Sequence, residues 1–355
     1  MNVHTLRRVV AASGLLVWTG VVAACAGAPA PSRQTIEFSG PTMGATFTVK
    51  VVTGPEGLAG APEIDALIRA DLERINVLMS TWDPASELSR FNQSPSLDPF
   101  PVAPETFEVF AWARTLEAMT GGALDVTVGP LLDAWGFGPA GPRDLAPTDA
   151  EVARLLEGTG LRHVVLDAEA RTVRKLRPDI VCEFSSLAPG YAADRLAALL
   201  VERGATDFLV DVGGEFRVRG FNDAGTPWQI AVERPTEQGR FIERMIPITD
   251  GAIATSGDYR NYHEVEGVRV AHILDPRTGR PIRHRLASVT VVDALGVRAD
   301  GLSTALMVLG PDEGYALAES LDLAALFIVR AEGGDGFESR GTPRFEALAA
   351  PAGRP

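Results

Sequence analysis

The chain has 355 residues, 46% hydrophobic and 22% charged, an ordinary globular composition with length for one large domain or two intimate ones. Its formal net charge of −13, with no basic block long enough to track a phosphate backbone, argues against nucleic acid as a partner. Two cysteines, Cys25 and Cys182, make no disulfide framework, and no zinc-type histidine–cysteine cluster is visible.

Residues 1–25 read as an export signal, outside the fold. Arg7 and Arg8 form its charged start, and Val9 to Val22 is an apolar run too short for a comfortable membrane span. The run ends in V-A-A-C at Cys25, which resembles a bacterial lipobox with valine where leucine is commoner. In that reading Cys25 is lipidated and becomes the first mature residue, anchoring the protein to the bacterial cell membrane on its periplasmic side. A plain secretory signal cleaved nearby is the other reading. Residues 26–35 read as a tether.

Two strands follow, broken at Gly40-Pro41 and again at Gly44. Glycines on both sides of Met43 would let backbone approach a flat ligand, and a β-bulge accounts for them equally. From Glu63 to Met79 apolar residues recur at helical spacing, until S-T-W-D-P stops them. S-E-L-S-R-F-N gives a short helix, with Trp82 and Phe91 read as core and a ligand-facing role as the other reading. Pro104 to Thr120 is a further helix closed by Gly121-Gly122. In A-L-D-V-T-V-G-P-L, Asp125 is an acid inside an apolar run and needs a hydrogen-bonding partner.

Asp149 to Gly158 reads as a helix, and H-V-V-L-D with T-V-R-K-L as a hairpin. I-V-C-E-F, residues 180–184, reads as a strand running into a helix from about Pro189. The amides of such a helix start favour anions, though many bind none. D-F-L-V-D-V-G-G-E-F-R-V-R-G reads as a hairpin turning at Gly213-Gly214. W-Q-I-A-V-E, F-I-E-R-M-I-P-I and G-A-I-A-T-S-G-D-Y follow as strands.

The next stretch concentrates chemistry. A-H-I-L-D-P-R-T-G-R-P-I places His272 before a turn; after a β-like S-V-T-V-V comes A-D-G-L-S-T-A-L-M-V-L-G. Asp300 and Thr304 are spaced i, i+4 and share a helix face, with Ser303 beside them. Oxygen-only groups facing one way suit a hard cation such as Mg²⁺. The same pattern is also what an ordinary helix start gives when its Ser and Thr meet solvent. A helix after Pro311 and the strand A-A-L-F-I-V complete the domain, and residues 331–355 read as a loose, glycine-rich tail. The expected fold is α+β: one compact domain, residues 36–330, of mixed or antiparallel sheets with packed helices.

Taken in order, these motifs resemble the ApbE family, the FAD:protein FMN transferases. The match runs from Pro41-Thr42-Met43-Gly44 through S-E-L-S-R-F-N, A-L-D-V-T-V-G-P-L, P-G-Y-A-A-D, D-V-G-G-E, A-T-S-G-D-Y-R-N-Y and H-I-L-D-P-R-T-G-R-P-I to A-D-G-L-S-T-A. The resemblance implies an enzyme that binds FAD as substrate, uses a divalent cation, usually Mg²⁺, and moves FMN onto a threonine or serine of an acceptor protein, releasing AMP. Typical acceptors are exported domains of membrane redox complexes.

Carried over by position, Met43, Ala123, Leu124, Asp125, Glu183, Pro189 and Leu274 would lie by FAD. Ser186, Asp300, Thr304 and Ser303 would give oxygens to the metal, and His272 would deprotonate the acceptor hydroxyl. Glu183 stands where the family usually has aspartate. Pro189 stands where it commonly has lysine or glutamate, so any side-chain contact to FAD made there is lost. Two rival readings are a Mg²⁺-dependent FAD pyrophosphatase and a non-catalytic FAD-binding lipoprotein.

Overall fold

The fold starts from a hairpin. β1 (Gln34–Thr42) and β2 (Ala45–Thr53) meet at a two-residue turn, Met43-Gly44, with φ of 47° and 71°. Two consecutive positive φ values match the twist of a tight hairpin, and only the second residue is a glycine. The computed structural model describes residues 33–58, 60–236, 239–259, 262–265, 268–333 and 336–349. The export signal, Cys25 and most of the tether therefore lie outside the described residues.

Two expectations are corrected here. Gly40 and Pro41 do not break the strand; they pair with Phe47 and Thr46, on an outer strand where a missing N–H is tolerated. The tether is shorter than read, because Gln34 and Thr35 already pair with Thr53 and Val52.

Helix α1 (Ala61–Met79) buries Ile64, Ile68, Leu72 and Ile75 along one face. Ser86 caps α2 (Glu87–Gln93) through its hydroxyl, which accepts the Ser89 N–H at 2.9 Å. After β3 (Phe100–Pro101), α3 (Pro104–Thr120) ends at Gly121 in the left-handed conformation. The short α4 (Gly129–Ala134) and α5 (Asp149–Gly158) follow. β4 (Val164–Asp167) and β5 (Thr172–Lys175) form a small sheet with β3.

Helix α6 (Ala188–Glu202) leads to the hairpin of β6 (Phe208–Val212) and β7 (Glu215–Arg219). A separate hairpin holds β8 (Trp228–Glu233) and β9 (Ile242–Ile248), before β10 (Asp250–Gly257). Two small pairs come next, β11 (Tyr262–Val265) with β12 (Val268–Ala271) and β13 (Leu274–Asp275) with β14 (Arg280–Pro281). β15 (Leu286–Asp293) precedes α7 (Gly296–Ser320), which is broken at Gly310. Pro311 cannot donate to the Met307 carbonyl, and His284 Nε2 meets that carbonyl instead at 2.9 Å. β16 (Ala324–Arg330), β17 (Phe337–Gly341) and α8 (Pro343–Ala349) close the chain.

The main sheet has eight strands in the order β1-β2-β6-β7-β10-β15-β16-β17, every neighbour antiparallel. Side chains alternate between its faces. Phe208, Val210, Ala325 and Phe327 join α1, α3, α6 and α7 in the larger core. Leu209, Leu326 and Ile328 face the other way, against Trp228, Ile230 and Val232 of the separate hairpin and Phe345 of α8. This mixture of helices and antiparallel sheets in one domain is the expected α+β class.

Three further expectations give way. Residues 331–355 are not a loose tail throughout: Phe337–Gly341 pairs with β16, and Phe345 is completely buried. Two apolar anchors outweigh the glycines around them. Trp82 is 68% exposed rather than core, because the turn after α1 carries it clear of the packed helices. Residues 180–184 form no strand, for a reason that lies in the site below.

Candidate active site

One cleft of about 1540 Å³ collects most of the residues singled out by the sequence. Met43, from the first hairpin turn, lies on its wall. So do Ala123, Leu124 and Asp125, the loop residues Glu183 and Ser186, and Pro189 of α6. Asp300 and Thr304 of α7 complete it, with His272 and Leu274 from the segment around β13. Ser303 is the exception. It is buried behind this wall, donating to the Asp300 carbonyl at 2.9 Å.

The crossing of α6 and α7 places the oxygens. Gly190 and Gly296 face each other where a Cβ on either would run into the other's carbonyl oxygen. The contact lets the Gly190 N–H reach Asp300 Oδ2 at 3.0 Å. Four residues further along α6, Asp194 accepts the N–H groups of Gly296 (2.7 Å) and Val297 (3.0 Å), capping the start of α7. The motif P-G-Y-A-A-D thus does two structural jobs on A-D-G-L-S-T.

Below Asp300, the hydroxyl of Ser256 at the end of β10 lies 2.8 Å from Ser303 Oγ and 3.0 Å from Thr304 Oγ1. Ser256 itself lines the cleft. It was missed as a site residue, although A-T-S-G-D-Y stood out as a motif. Strand alternation alone does not say which of its two hydroxyl residues faces α7.

A side-chain bracket replaces the strand expected at 180–184. Asn92 of α2 donates through Nδ2 to the Cys182 carbonyl and accepts the Cys182 N–H on Oδ1, both at 2.8 Å. That satisfies the backbone as a neighbouring strand would. The Glu183 N–H donates to the Val126 carbonyl at 2.7 Å, tying this segment to the loop that holds Asp125. Asp125 accepts from the Thr127 N–H (2.8 Å) and hydroxyl (2.6 Å) and from the Leu161 N–H (3.2 Å), which are the partners its burial demands.

The His272 segment hangs between strand and helix. Asp275 opens a tight turn, accepting from the N–H groups of Arg277 and Gly279, with Gly279 at φ 68°. The Gly279 carbonyl accepts the Trp135 indole N–H at 2.8 Å. Val270, Leu274, Leu131, Trp135 and Val152 form the small core beneath. The Phe137 ring meets the His272 imidazole edge-on, 6.3 Å between centroids.

The cleft is acidic and short of cations. Burial pushes the Asp300 carboxyl up to about 7; the Gly190 N–H pulls against this, and the charges of Glu183 and Asp194 add to it. Glu215, at the start of β7 on the same wall, is held well above the usual carboxylate range by burial and then by Asp300 and Asp211. Burial also raises Glu183, against the hydrogen bonds that Ser185 gives it. Among the described residues the wall carries one arginine, Arg240, and no lysine. Besides Ser256, Glu215 is a wall residue that composition and spacing do not single out, and Trp82 lines the cleft rather than the core.

The chain is similar in sequence and fold to known proteins. The profile of the ApbE family matches residues 43–327. A Vibrio cholerae protein named FAD:protein FMN transferase is 44% identical over 321 residues, covering 90% of this chain and 94% of its own. The Haemophilus influenzae protein of the same name is 40% identical over 319 residues, covering 89% and 92%. Among solved structures, a flavin transferase from Vibrio cholerae superposes with TM-score 0.81 at 42% identity, over 89% of this chain and 99% of that one. The apo form of a Pseudomonas stutzeri flavinyl transferase gives TM-score 0.81 at 38% identity, over 90% and 98%.

Proposed function

The chain belongs to the ApbE family, and we propose that this transferase moves FMN from FAD onto a threonine or serine hydroxyl of an acceptor protein, releasing AMP. The observation that carries the reading is that one cleft is lined by His272, by Asp300 and Thr304, and by Met43, Ala123, Leu124 and Asp125. At about 1540 Å³ the cleft exceeds the roughly 300–1,000 Å³ of common small-ligand pockets, which leaves space for a second reactant beside FAD.

The residues present fit a divalent cation such as Mg²⁺. Asp300 Oδ2 accepts only the Gly190 N–H, and Oδ1 makes no hydrogen bond among the described residues. Asp300, Thr304 and Ser186 would hold the ion, an all-oxygen set that suits a hard cation. Ser303, bonded to Ser256 and to its own helix, would act by orienting Thr304 through Ser256. When bound, the ion supplies positive charge to the pyrophosphate and to the departing AMP. Without such charge, a diphosphate would enter a wall of buried acids served by one arginine.

His272 takes the proton of the acceptor hydroxyl as its oxygen attacks the FMN phosphorus. The oxygen–phosphorus ester bond forms while the pyrophosphate P–O bond breaks. The electron pair leaves on the AMP phosphate, and the proton stays on the imidazole. Positioning and charge stabilisation carry most of such a phosphoryl transfer. Pro189 occupies the first turn of α6 with no side-chain donor, so FAD is held there by shape and backbone alone.

The acceptor is an exported domain of a membrane redox complex, and the protein itself is exported and lipid-anchored through Cys25, facing the periplasm. The motif ending at Cys25 supports this. No helix among the described residues is long and apolar enough to cross a membrane.

The test is mass spectrometry of a candidate acceptor after incubation with this protein, FAD and Mg²⁺. An FMN mass on one threonine or serine is the expected result. AMP release from FAD alone, undiminished without acceptor and with no labelled acceptor, would replace transfer by hydrolysis.

A further inference from the structure

The β8–β9 hairpin pairs with no other strand among the described residues, and its two outer edges are not alike. Pro247 of β9 stands opposite Gln229. A proline has no N–H to give across a ladder, so the Gln229–Pro247 pair is a non-hydrogen-bonded one. Just beyond the bulge at Val232/Glu233, the Arg234 N–H donates to the Phe241 carbonyl at 2.7 Å. Both facts fix the same parity. The backbone groups of Trp228, Ile230 and Val232 point inward to β9, and those of Gln229 and Ala231 point outward.

The outer edge of β9 is blunted by Pro247, in the way edge strands avoid unwanted pairing. The outer edge of β8 has no such guard. The N–H and carbonyl groups of Gln229 and Ala231 bond nothing among the described residues. Ala231 and Val232 lie on the wall of the cleft that holds His272 and Asp300. Below the strand, Trp228, Ile230 and Val232 are fixed in the core, so the edge is rigid. Ala231 is exposed and small, and leaves the backbone accessible from above.

We propose that the acceptor protein presents its hydroxyl on an extended segment that adds as a third strand along β8, pairing with Gln229 and Ala231. This mode takes affinity from main-chain hydrogen bonds and tolerates different side chains in the incoming segment. It delivers a hydroxyl residue into the cleft from the side on which the strand edge lies open. The inference rests on the transferase reading above and names how its protein substrate is held.

The test uses a synthetic peptide spanning the hydroxyl residue that mass spectrometry identifies, with FAD and Mg²⁺. Single N-methyl groups are placed on successive peptide amides. Strand pairing predicts alternation: methylation of every second amide lowers kcat/KM for the peptide by about tenfold, the worth of one lost hydrogen bond and its stranded partner, while the amides between tolerate it. Ala231→Pro, which removes an outward N–H and none that pairs with β9, should give a similar loss, with the urea-unfolding midpoint as the folding control. Equal tolerance at all amides, or loss without alternation, would overturn the pairing while leaving the transferase reading intact. If the unmodified peptide and its parent protein both stay unlabelled, the transferase reading itself fails.

Discussion

The Gly190 N–H donates to Asp300 Oδ2 at 3.0 Å across a crossing that has no room for a side chain. One helix thereby orients the carboxylate of the other. Gly190→Ala should force α6 and α7 apart, since its Cβ would also meet Asp300 Cβ at 2.8 Å. The expected cost is about 1–3 kcal/mol of stability, together with a higher metal requirement for transfer. Denaturant unfolding and a Mg²⁺ titration of activity measure the two; an unchanged unfolding midpoint would refute the steric argument.

Ser256 touches Thr304 and Ser303 through a single hydroxyl. Ser256→Ala should weaken metal affinity by about tenfold, as expected for loss of an orienting partner, and leave FAD-independent stability nearly unchanged. Isothermal titration with Mg²⁺ in the presence of FAD reads this directly. A metal affinity equal to that of the parent protein would show that Thr304 needs no such support.

His272→Asn should keep FAD bound and lower the transfer rate by roughly 10²–10⁴-fold, the usual worth of a positioned general base. Single-turnover labelling of the acceptor separates binding from chemistry. Full transfer activity in this variant would remove the histidine from the mechanism.

Burial holds the His284 imidazole below its ordinary value of 6.5, and the Met307 and Val308 carbonyls oppose that shift only in part. Nδ1 is buried without a hydrogen-bond partner among the described residues, so the folded protein favours the neutral ring. Below pH 6.5 the unfolded chain takes the proton first, and stability falls as pH drops towards the folded value. The slope from this group is at most about 1.4 kcal/mol per pH unit. His284→Gln keeps a donor for the Met307 carbonyl but cannot titrate. The difference in stability between parent and variant should therefore change with pH below 6.5 and be flat above it, as followed by urea unfolding.

Asn92→Ala removes both hydrogen bonds that hold Cys182 in place of a strand neighbour. The expected loss is about 2–3 kcal/mol. FAD affinity should fall with it, because Glu183 and Asp125 are tied through the Glu183–Val126 bond to that segment. Calorimetric unfolding and FAD fluorescence titration would show the two effects together. A change in stability alone would separate the bracket from the site.

Legibility in the sequence followed the range of the interaction. The spacing of Asp300 and Thr304 was readable because a helix repeats over four residues, and both do face the cleft. The partner of Asp300 was not readable, because Gly190 lies 110 residues away and contributes only its backbone. The apolar run 180–184 had strand composition, but a strand needs a neighbour, and here the neighbour is one asparagine side chain. Trp82 failed as a core residue because hydrophobicity reports cost in water, and says nothing of whether other residues pack over the ring. The C-terminal stretch looked loose by its glycines, while Phe337 and the fully buried Phe345 supply anchors that composition averages away.

The indole N–H of Trp135 carries the carbonyl of Gly279, and two residues on from Trp135 the Phe137 ring meets His272. The His272 segment and the loop after α4 are therefore joined twice, once at the turn and once at the ring. The imidazole is thus reached from two elements more than a hundred residues apart in the sequence, and a substitution in the loop after α4 or in the turn at Gly279 would be felt at the same ring.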